Sequence, residues 1–327
     1  MAALRPRDEG IGRVASPQGA PGVRALGIPR SGSVAPGAVP RGRRPFRSRT
    51  PRDMPRAGRR GIAFWLAVGW LVVVAVCAAA ADWLPVADPV APDVSARLDG
   101  PSVDHPLGAD GLGRDQLARL VHAAQVSLVV SMSAVGIGLA VGGTLGTAVG
   151  YLRGRIETAV MAAIDVILAF PGLVLLLAVL AFVGRSLTVI SLVIGFLSIP
   201  IYTRVARANT LSIAQREFVH AAHTLGARRS RILFREIVPN VVPSVAAFAL
   251  VAMGIVIVLE GSLALLGLSV EPPDPTWGGM IAASKPHLSE APHAALVPSA
   301  AMFLTVLSLN FVGDTLRRSL DVRDVNL

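Results

Sequence analysis

The segment EFVHAAHTLGARRSRILFREIVP, from Glu217 to Pro239, is polar and rich in arginine, although it lies between two long apolar runs. Read as a helix from about Ser212, it carries residues at i, i+3, i+4 and i+7 on one stripe. These residues are Phe218, Ala221, Ala222 and Leu225. Gly226 follows at a position where helices commonly end. The pattern predicts a loop with a short amphipathic helix between two membrane spans.

The second half of this segment is basic. Its arginines follow Gly226 in a second short helical stretch: Arg228, Arg229, Arg231 and Arg235. Pro239 and Pro243 then lead into the next apolar run. Two interpretations remain open at this point. Either the loop docks on a partner protein in the cytoplasm, or its helix lies among the lipid headgroups.

The segment resembles the EAA loop of ABC importer permeases, in which Glu-Ala-Ala is followed by a glycine and later by Leu-Pro. His220 stands in place of the glutamate of that pattern and Val238 in place of its leucine. Ile237 falls one position later than the isoleucine of the pattern. The resemblance implies a set of residues that contact ATPase subunits: Glu217, His220, Ala221, Ala222, Leu225, Gly226 and Pro239.

Two further strings narrow the resemblance to the C-type permease subunit of the dipeptide, oligopeptide and nickel branch. They are HPLGADGLGRDQLARLVHAAQVSL from His105 to Leu128 and EGSLALLGLSVEPPDPTWGGMI from Glu260 to Ile281. With FVGDTLRRSLDVR near the end, the resemblance covers roughly Gly61 to Arg323. It implies a type I importer fold and a heteromer. The implied partners are a second homologous permease, two cytoplasmic ATPases that bind ATP and Mg, and an extracytoplasmic solute-binding protein.

Composition independently places the chain in the polytopic membrane class, since 53% of its residues are hydrophobic. A membrane-spanning helix needs about 20 apolar residues, and several runs qualify. We predict an all-α protein with six spans: Ile62 to Asp82, Val126 to Tyr151, Thr158 to Val183, Leu187 to Tyr202, Val241 to Leu268 and Ala295 to Asp314.

The net charge of +10 belongs to the N-terminal tail, because residues 1–60 hold fourteen arginines and only three acidic residues. The tail is rich in Pro, Gly, Ser and Arg, a composition typical of disorder, and its charge can attract anionic membrane lipid. No basic folded face accompanies it, so nucleic-acid binding is not expected. Met54 offers an alternative start that would remove most of this tail.

The distribution of positive charge predicts the orientation. With both termini cytoplasmic, the inside segments hold 26 of the 31 Lys and Arg residues. The expected organisation is a cytoplasmic tail at 1–60, a first span at 61–83, a periplasmic segment at 84–125, a five-helix permease core at 126–315 with a coupling loop at 204–240, and a cytoplasmic C-terminus at 316–327. The expected location is the bacterial inner membrane. A cleaved signal sequence is the alternative for the first span.

Several polar or helix-breaking residues within the spans are candidates for mechanism. Asp165 and Glu260 are intramembrane carboxylates, which are costly and therefore face protein or water. Each could line or gate the translocation pathway, or form a structural hydrogen bond. Pro171 with Gly172, and Pro200, predict bends in their helices. The second span has a face of small residues that predicts close helix contact: Gly136, Gly138, Gly142, Gly143, Gly146 and Gly150.

Other chemistry is not indicated. The chain has no P-loop, since its single lysine, Lys285, is not preceded by glycine, so ATP hydrolysis is expected in partner chains and no cofactor in this one. His220 with His223, and His287 with His293, are weak metal candidates, and no metal site is expected. The resulting interpretation is the permease subunit of an ATP-driven importer of di- or oligopeptides or peptide-like solutes. Nickel, glutathione and haem remain alternative solutes, and a stand-alone secondary transporter or a membrane enzyme remain alternative classes.

Overall fold

The computed structural model describes residues 61–325, with side chains up to residue 320. The predicted disordered tail at 1–60 lies outside the described residues, as does the very end of the predicted C-terminal segment. The described part is built from helices and contains no strand, apart from an isolated bridge between Ala109 and Asp115. The predicted all-α class is therefore confirmed.

The helices, in chain order, are α1 Ile62–Ala79, α2 Gln116–Ile137, α3 Thr144–Leu152, α4 Arg155–Ala169, α5 Gly172–Val183, α6 Leu187–Ile213, α7 Glu217–Thr224, α8 Arg229–Ile232, α9 Val238–Leu265, α10 Trp277–Ser284 and α11 Pro292–Val325. Two π-helical turns, Gly138–Gly143 and Leu233–Ile237, join α2 to α3 and α8 to α9.

Five helical stretches of the described chain are long and apolar enough to cross a membrane. They are Ile62–Ala79, Gln116–Leu152, Leu187–Ile213, Arg229–Leu265 and Pro292–Leu320. The pair α4 and α5 passes the same test only together, and it is bent by 76° at the break between them. The predicted six spans are reached when this bent pair counts as one span.

The third span differs from the sequence prediction, which made it continuous from Thr158 to Val183. The helix stops at Ala169, Phe170 adopts an extended backbone, and Pro171 precedes the first residue of α5. A residue before proline is driven out of the helical region by a clash with the proline ring, which explains the break. Pro171 thus bends its span as predicted, whereas Pro200 lies inside a helix that continues from Leu187 to Ile213.

Other helices are longer than the apolar runs from which they were predicted. The second span begins at Gln116 and not at Val126, because the Asp115 carboxylate accepts a hydrogen bond from the amide of Ala118 at 2.7 Å and caps the helix. The fourth span continues past Tyr202 to Ile213, and the fifth begins at Arg229. The helix predicted from about Ser212 instead begins at Glu217, after a turn that follows Ile213.

The centre of the bundle is a close contact between the second span and α6. A Cβ atom added to any of four glycines, each four positions apart, would lie within 3.0 Å of α6: Gly138, Gly142, Gly146 and Gly150. Added to Gly136, it would meet nothing within 4 Å. The predicted glycine face is therefore confirmed for the four glycines that face α6, whereas Gly136 and Gly143 do not contact that helix.

The opposite end of the bundle, away from α7, is closed by α10 and the segments around it. Trp277 is 1% exposed, and its indole nitrogen donates to the carbonyl of Leu120 at 3.2 Å. Arg119 donates to the carbonyl of Pro89 at 2.9 Å, which fastens the segment after α1 onto α2. The first helix α1 lies at the edge of the bundle, where Trp70 donates to the hydroxyl of Thr305 at 3.0 Å.

Candidate functional site

The short helix α7 and its C-terminal turn carry six of the predicted coupling residues. The helix begins at Glu217 and ends at Thr224, with Leu225 as its C-cap residue, and Gly226 then takes a φ of +77°. The amide of Gly226 donates to His223 at 3.0 Å and that of Ala227 donates to Ala222 at 3.1 Å. This pair of bonds is a Schellman turn, in which glycine adopts the left-handed backbone at little cost. The chain therefore needs Gly226 here to end α7 and turn toward α8.

Most of the predicted coupling surface points away from the bundle. Leu225 is 87% exposed, and Glu217, His220 and Ala221 are exposed as well. Phe218 is 39% exposed, and only Ala222 of the predicted stripe is partly buried. Large apolar side chains facing solvent at the end of a helical bundle are typical of a protein-interaction site. Pro239 lies apart from this surface, in the first turn of α9.

Val219 fixes α7 to the bundle, although the sequence analysis did not single it out. It is 1% exposed and packs in the cluster that contains Ile213, Ile232 and Ile237. Burying a side chain of this size stabilises by about 1.5–3 kcal/mol. Val219 is a single buried residue between the exposed Phe218 and His220. One residue does not form a repeating pattern, so the sequence alone does not show that it faces the bundle.

A ring contact provides a second attachment. The imidazole of His223 stacks on the phenol ring of Tyr151, with centroids 6.5 Å apart and planes 21° from parallel. Tyr151 belongs to α3, so α7 contacts the second span in addition to belonging, through Val219, to the core cluster that contains Ile213 and Ile237. A force on α7 would therefore act on several spans at once.

Asp165 pairs with an arginine that the sequence analysis did not identify. Its Oδ1 atom lies 2.5 Å from Nη2 of Arg204 on α6, and both side chains are at least half exposed. Glu157 and Arg207 form a second ion pair between the same helices, one that is less exposed. The partners stand 39 and 50 positions apart, so only the fold reveals them. These two pairs hold the first half of the bent span against α6.

Glu260 is a buried carboxylate near the end of α9, away from α7. It is 1% exposed, and its Oε1 accepts a hydrogen bond of 2.5 Å from the hydroxyl of Ser269. Ser269 is in turn 3.3 Å from the hydroxyl of Thr276, which caps α10. The structure thus surrounds Glu260 with the loop from α9 to α10, while it leaves Asp165 and Pro171 at the surface of the chain.

A metal centre is not evident in the described part of the chain, where no three His, Cys, Asp or Glu side chains are grouped to hold an ion. His220 points outward and His223 stacks on Tyr151. The candidate site is therefore described by the exposed face of α7 at one end of the bundle.

Comparison with known proteins identifies the family. Residues 142–323 match the model of the binding-protein-dependent transport system inner membrane component. The glutathione transport system permease protein of Pectobacterium atrosepticum is 39% identical over 70% of this chain and 76% of the relative. The proteins of that name from Escherichia coli O6:K15:H31 and Shigella boydii serotype 4 are each 37% identical over 85% of this chain and 92% of the relative.

The chain therefore belongs to the family of binding-protein-dependent transport system inner membrane components. It is a permease subunit of an ABC importer of the peptide type, it lies in the inner membrane with several spans, and it is not an enzyme. The resemblance drawn from the loop at Glu217 and the two longer strings is confirmed at this level.

Proposed function

We propose that α7 is the element through which this permease receives the movement of two cytoplasmic ATPase subunits. In this proposal those subunits bind ATP and Mg, and a second homologous permease completes the translocation pathway. A solute-binding protein delivers the solute from the other side. Both termini of the chain then lie in the cytoplasm, as the charge distribution along the sequence favours.

The observation that carries this proposal is the two-sided character of α7. Leu225, Phe218 and Ala221 are exposed, while Val219 on the same helix is locked into the core. A helix that only lies among the lipid headgroups would turn its apolar face toward the bilayer. It would not need a buried residue such as Val219 to anchor it to the bundle. A helix anchored on one face and apolar on the other suits a partner that pushes on it.

Cysteine accessibility tests the docking. Cys77 is the sole cysteine of the chain, so Cys77→Ser gives a background free of thiols. We expect Leu225→Cys in that background to react with a water-soluble maleimide in the isolated permease and to be protected in the assembled transporter. Val219→Cys is the matched control on the same helix, and it should stay unreactive in both. Equal labelling of Leu225→Cys with and without the ATPases would contradict the proposal.

We also propose that the solute is glutathione or a short peptide of similar size. The support is the name shared by the relatives that align over most of this chain. Uptake of radiolabelled glutathione by cells that express the complete transporter, in competition with unlabelled glutathione, tripeptides, dipeptides, tetrapeptides, nickel chelates and haem, tests this. Competition by glutathione or tripeptides is the expected result. Competition by nickel or haem alone would assign a different solute to the same permease.

A further inference from the structure

An apolar groove runs between the second span and the start of the fifth. It encloses about 530 Å³ and lies close to the turn that follows α7. One wall carries Leu139, Gly143 and Ala148, and the other carries Val238, Val242 and Ala246. Both π-helical turns contribute to it, through Gly143 on one wall and Leu233 on the other. Small residues on both walls keep the groove open.

A basic depression of about 630 Å³ adjoins the groove at the end nearest α7. It is lined by Arg228, Arg231 and Arg235, and Phe234 lines both the depression and the groove. Within the part of the chain that the structure describes, none of these three arginines lies within 4.0 Å of a carboxylate. Three exposed guanidinium groups therefore stand without counter-ions beside an apolar channel.

The combined length of the groove and the depression matches the thickness of one bilayer leaflet. From Arg231 to Ala246 the helix rises roughly 22 Å, at about 1.5 Å per residue. One leaflet contributes about 15 Å of hydrocarbon, and the headgroup occupies the rest. The guanidinium groups thus stand at headgroup depth when Val238, Val242 and Ala246 stand at acyl-chain depth. Guanidinium groups also match the geometry of a phosphate, to which they can donate two parallel hydrogen bonds.

We infer that the groove and the depression together bind one anionic phospholipid, whose phosphate pairs with Arg231 and Arg235 while an acyl chain lies between α3 and α9. Gly226, which ends α7, lines the depression, but the exposed Phe218, Ala221 and Leu225 of α7 do not. The lipid site does not depend on the proposed docking of α7 or on the proposed solute. A lipid bound there would contact both the turn at Gly226 and the start of α9, and so would support both.

Native mass spectrometry of the assembled transporter tests the inference. The complex is purified, stripped of lipid and titrated with phosphatidylglycerol or phosphatidylcholine. We expect the double variant Arg231→Gln, Arg235→Gln to lower phosphatidylglycerol affinity about tenfold, a factor that corresponds to 1.4 kcal/mol. Arg317→Gln with Arg318→Gln is the matched control, because those arginines are also exposed, at the end of α11, and they line neither the groove nor the depression. The control should bind phosphatidylglycerol as the unaltered complex does.

Filling the groove distinguishes a lipid from a small anion. Ala246 is exposed, so Ala246→Phe places a ring in the channel without displacing the core. A Cβ atom on Gly143 would meet only Leu139, at 3.5 Å, so Gly143→Leu fills the channel from the opposite wall. Both variants should lower phosphatidylglycerol binding while they leave the arginines in place.

Three results would overturn the inference. Unchanged binding in both groove-filled variants would mean that the arginines hold a phosphate without an acyl chain. Equal affinity for phosphatidylcholine would remove the role of the charge. Loss of an ATPase or of the second permease from the Arg231→Gln, Arg235→Gln complex would assign the depression to a subunit interface.

Discussion

A Cβ atom placed on Gly146 would stand 2.2 Å from the carbonyl oxygen of Thr203, so the second span and α6 meet through bare backbone. This distance is far below an ordinary contact, and neither atom belongs to a side chain that could rotate away. Gly146→Ala should therefore force the helices apart. Overpacking of this kind costs about 1–3 kcal/mol. The expected result is a lower Tm of the purified assembled transporter.

The control for this prediction is Gly136→Ala on the same span. The added methyl group meets nothing within 4 Å there, and both variants gain the same helix propensity of about 1 kcal/mol. The difference between the two Tm values isolates the contact with Thr203. Equal Tm values would show that the two helices separate more easily than their packing indicates.

Gly226→Asp should impair coupling while leaving the permease in the membrane. Gly226 has a φ of +77°, open space around it and a place beside the exposed Leu225. Aspartate there costs about 1–2 kcal/mol of backbone strain and adds a charge to the proposed docking face. We expect solute-stimulated ATP hydrolysis and recovery of the ATPases with the permease to fall together.

Gly267→Asp is the matched control for that experiment. Gly267 also ends a helix in a Schellman turn, with a φ of +74° and open space, but it lies at the other end of α9. The backbone strain is the same and the location differs. ATP hydrolysis should stay close to that of the unaltered transporter, and an equal loss in both variants would assign the effect to strain.

His220→Glu, which restores the glutamate of the related loops, should be tolerated. His220 is exposed and lies in the first turn of α7, where a carboxylate is favoured by the helix dipole by about 0.3–1 kcal/mol. Transport at matched abundance is the measurement. His223→Glu serves as the contrast, because it removes the stacking on Tyr151 and should weaken coupling. A severe loss in His220→Glu would mean that the ATPase requires the histidine.

Exchanging the charges of Asp165 and Arg204 separates a structural role from a pathway role. If the ion pair holds α4 against α6, then Asp165→Asn and Arg204→Gln should each reduce transport, and Asp165→Arg with Arg204→Asp should restore part of it. The measurement is the initial uptake rate at matched abundance. If the exchanged pair is as inactive as the single variants, the carboxylate at position 165 acts on the solute or the gate.

The sequence predicted the order of the spans, four glycines of the glycine face and the bend at Pro171, because each depends on local composition and spacing. It did not predict where the second and fifth spans begin or where α6 ends. The length of an apolar run reflects the thickness of the bilayer. The ends of a helix depend instead on capping residues such as Asp115, which stand outside the apolar run. The pair of Asp165 with Arg204 also escaped prediction, since the partners meet only after α4 and α6 pack.

The candidate site was also only partly predictable from the sequence. Gly226 was placed at the end of α7 by its sequence position alone, and its φ of +77° agrees. The anchor Val219 was not predicted, because an apolar residue between two exposed neighbours carries no distinguishing pattern. Which residue of a short helix faces the bundle is decided by the helices beneath it.

The glycine contact between the second span and α6 also limits how the permease can move. A Cβ atom on Gly142 or Gly146 would meet backbone atoms of α6 first, and one on Gly138 or Gly150 would meet a side chain of α6 at 3.0 Å or less. The two spans are therefore packed too closely to slide past each other and should move as one unit. The bent span lacks such contacts, and its helical hydrogen bonding is interrupted at Phe170 and Pro171. Relative motion during a transport cycle should therefore concentrate at that joint, which makes it the place where a single added crosslink would stall the transporter with its ATP sites intact.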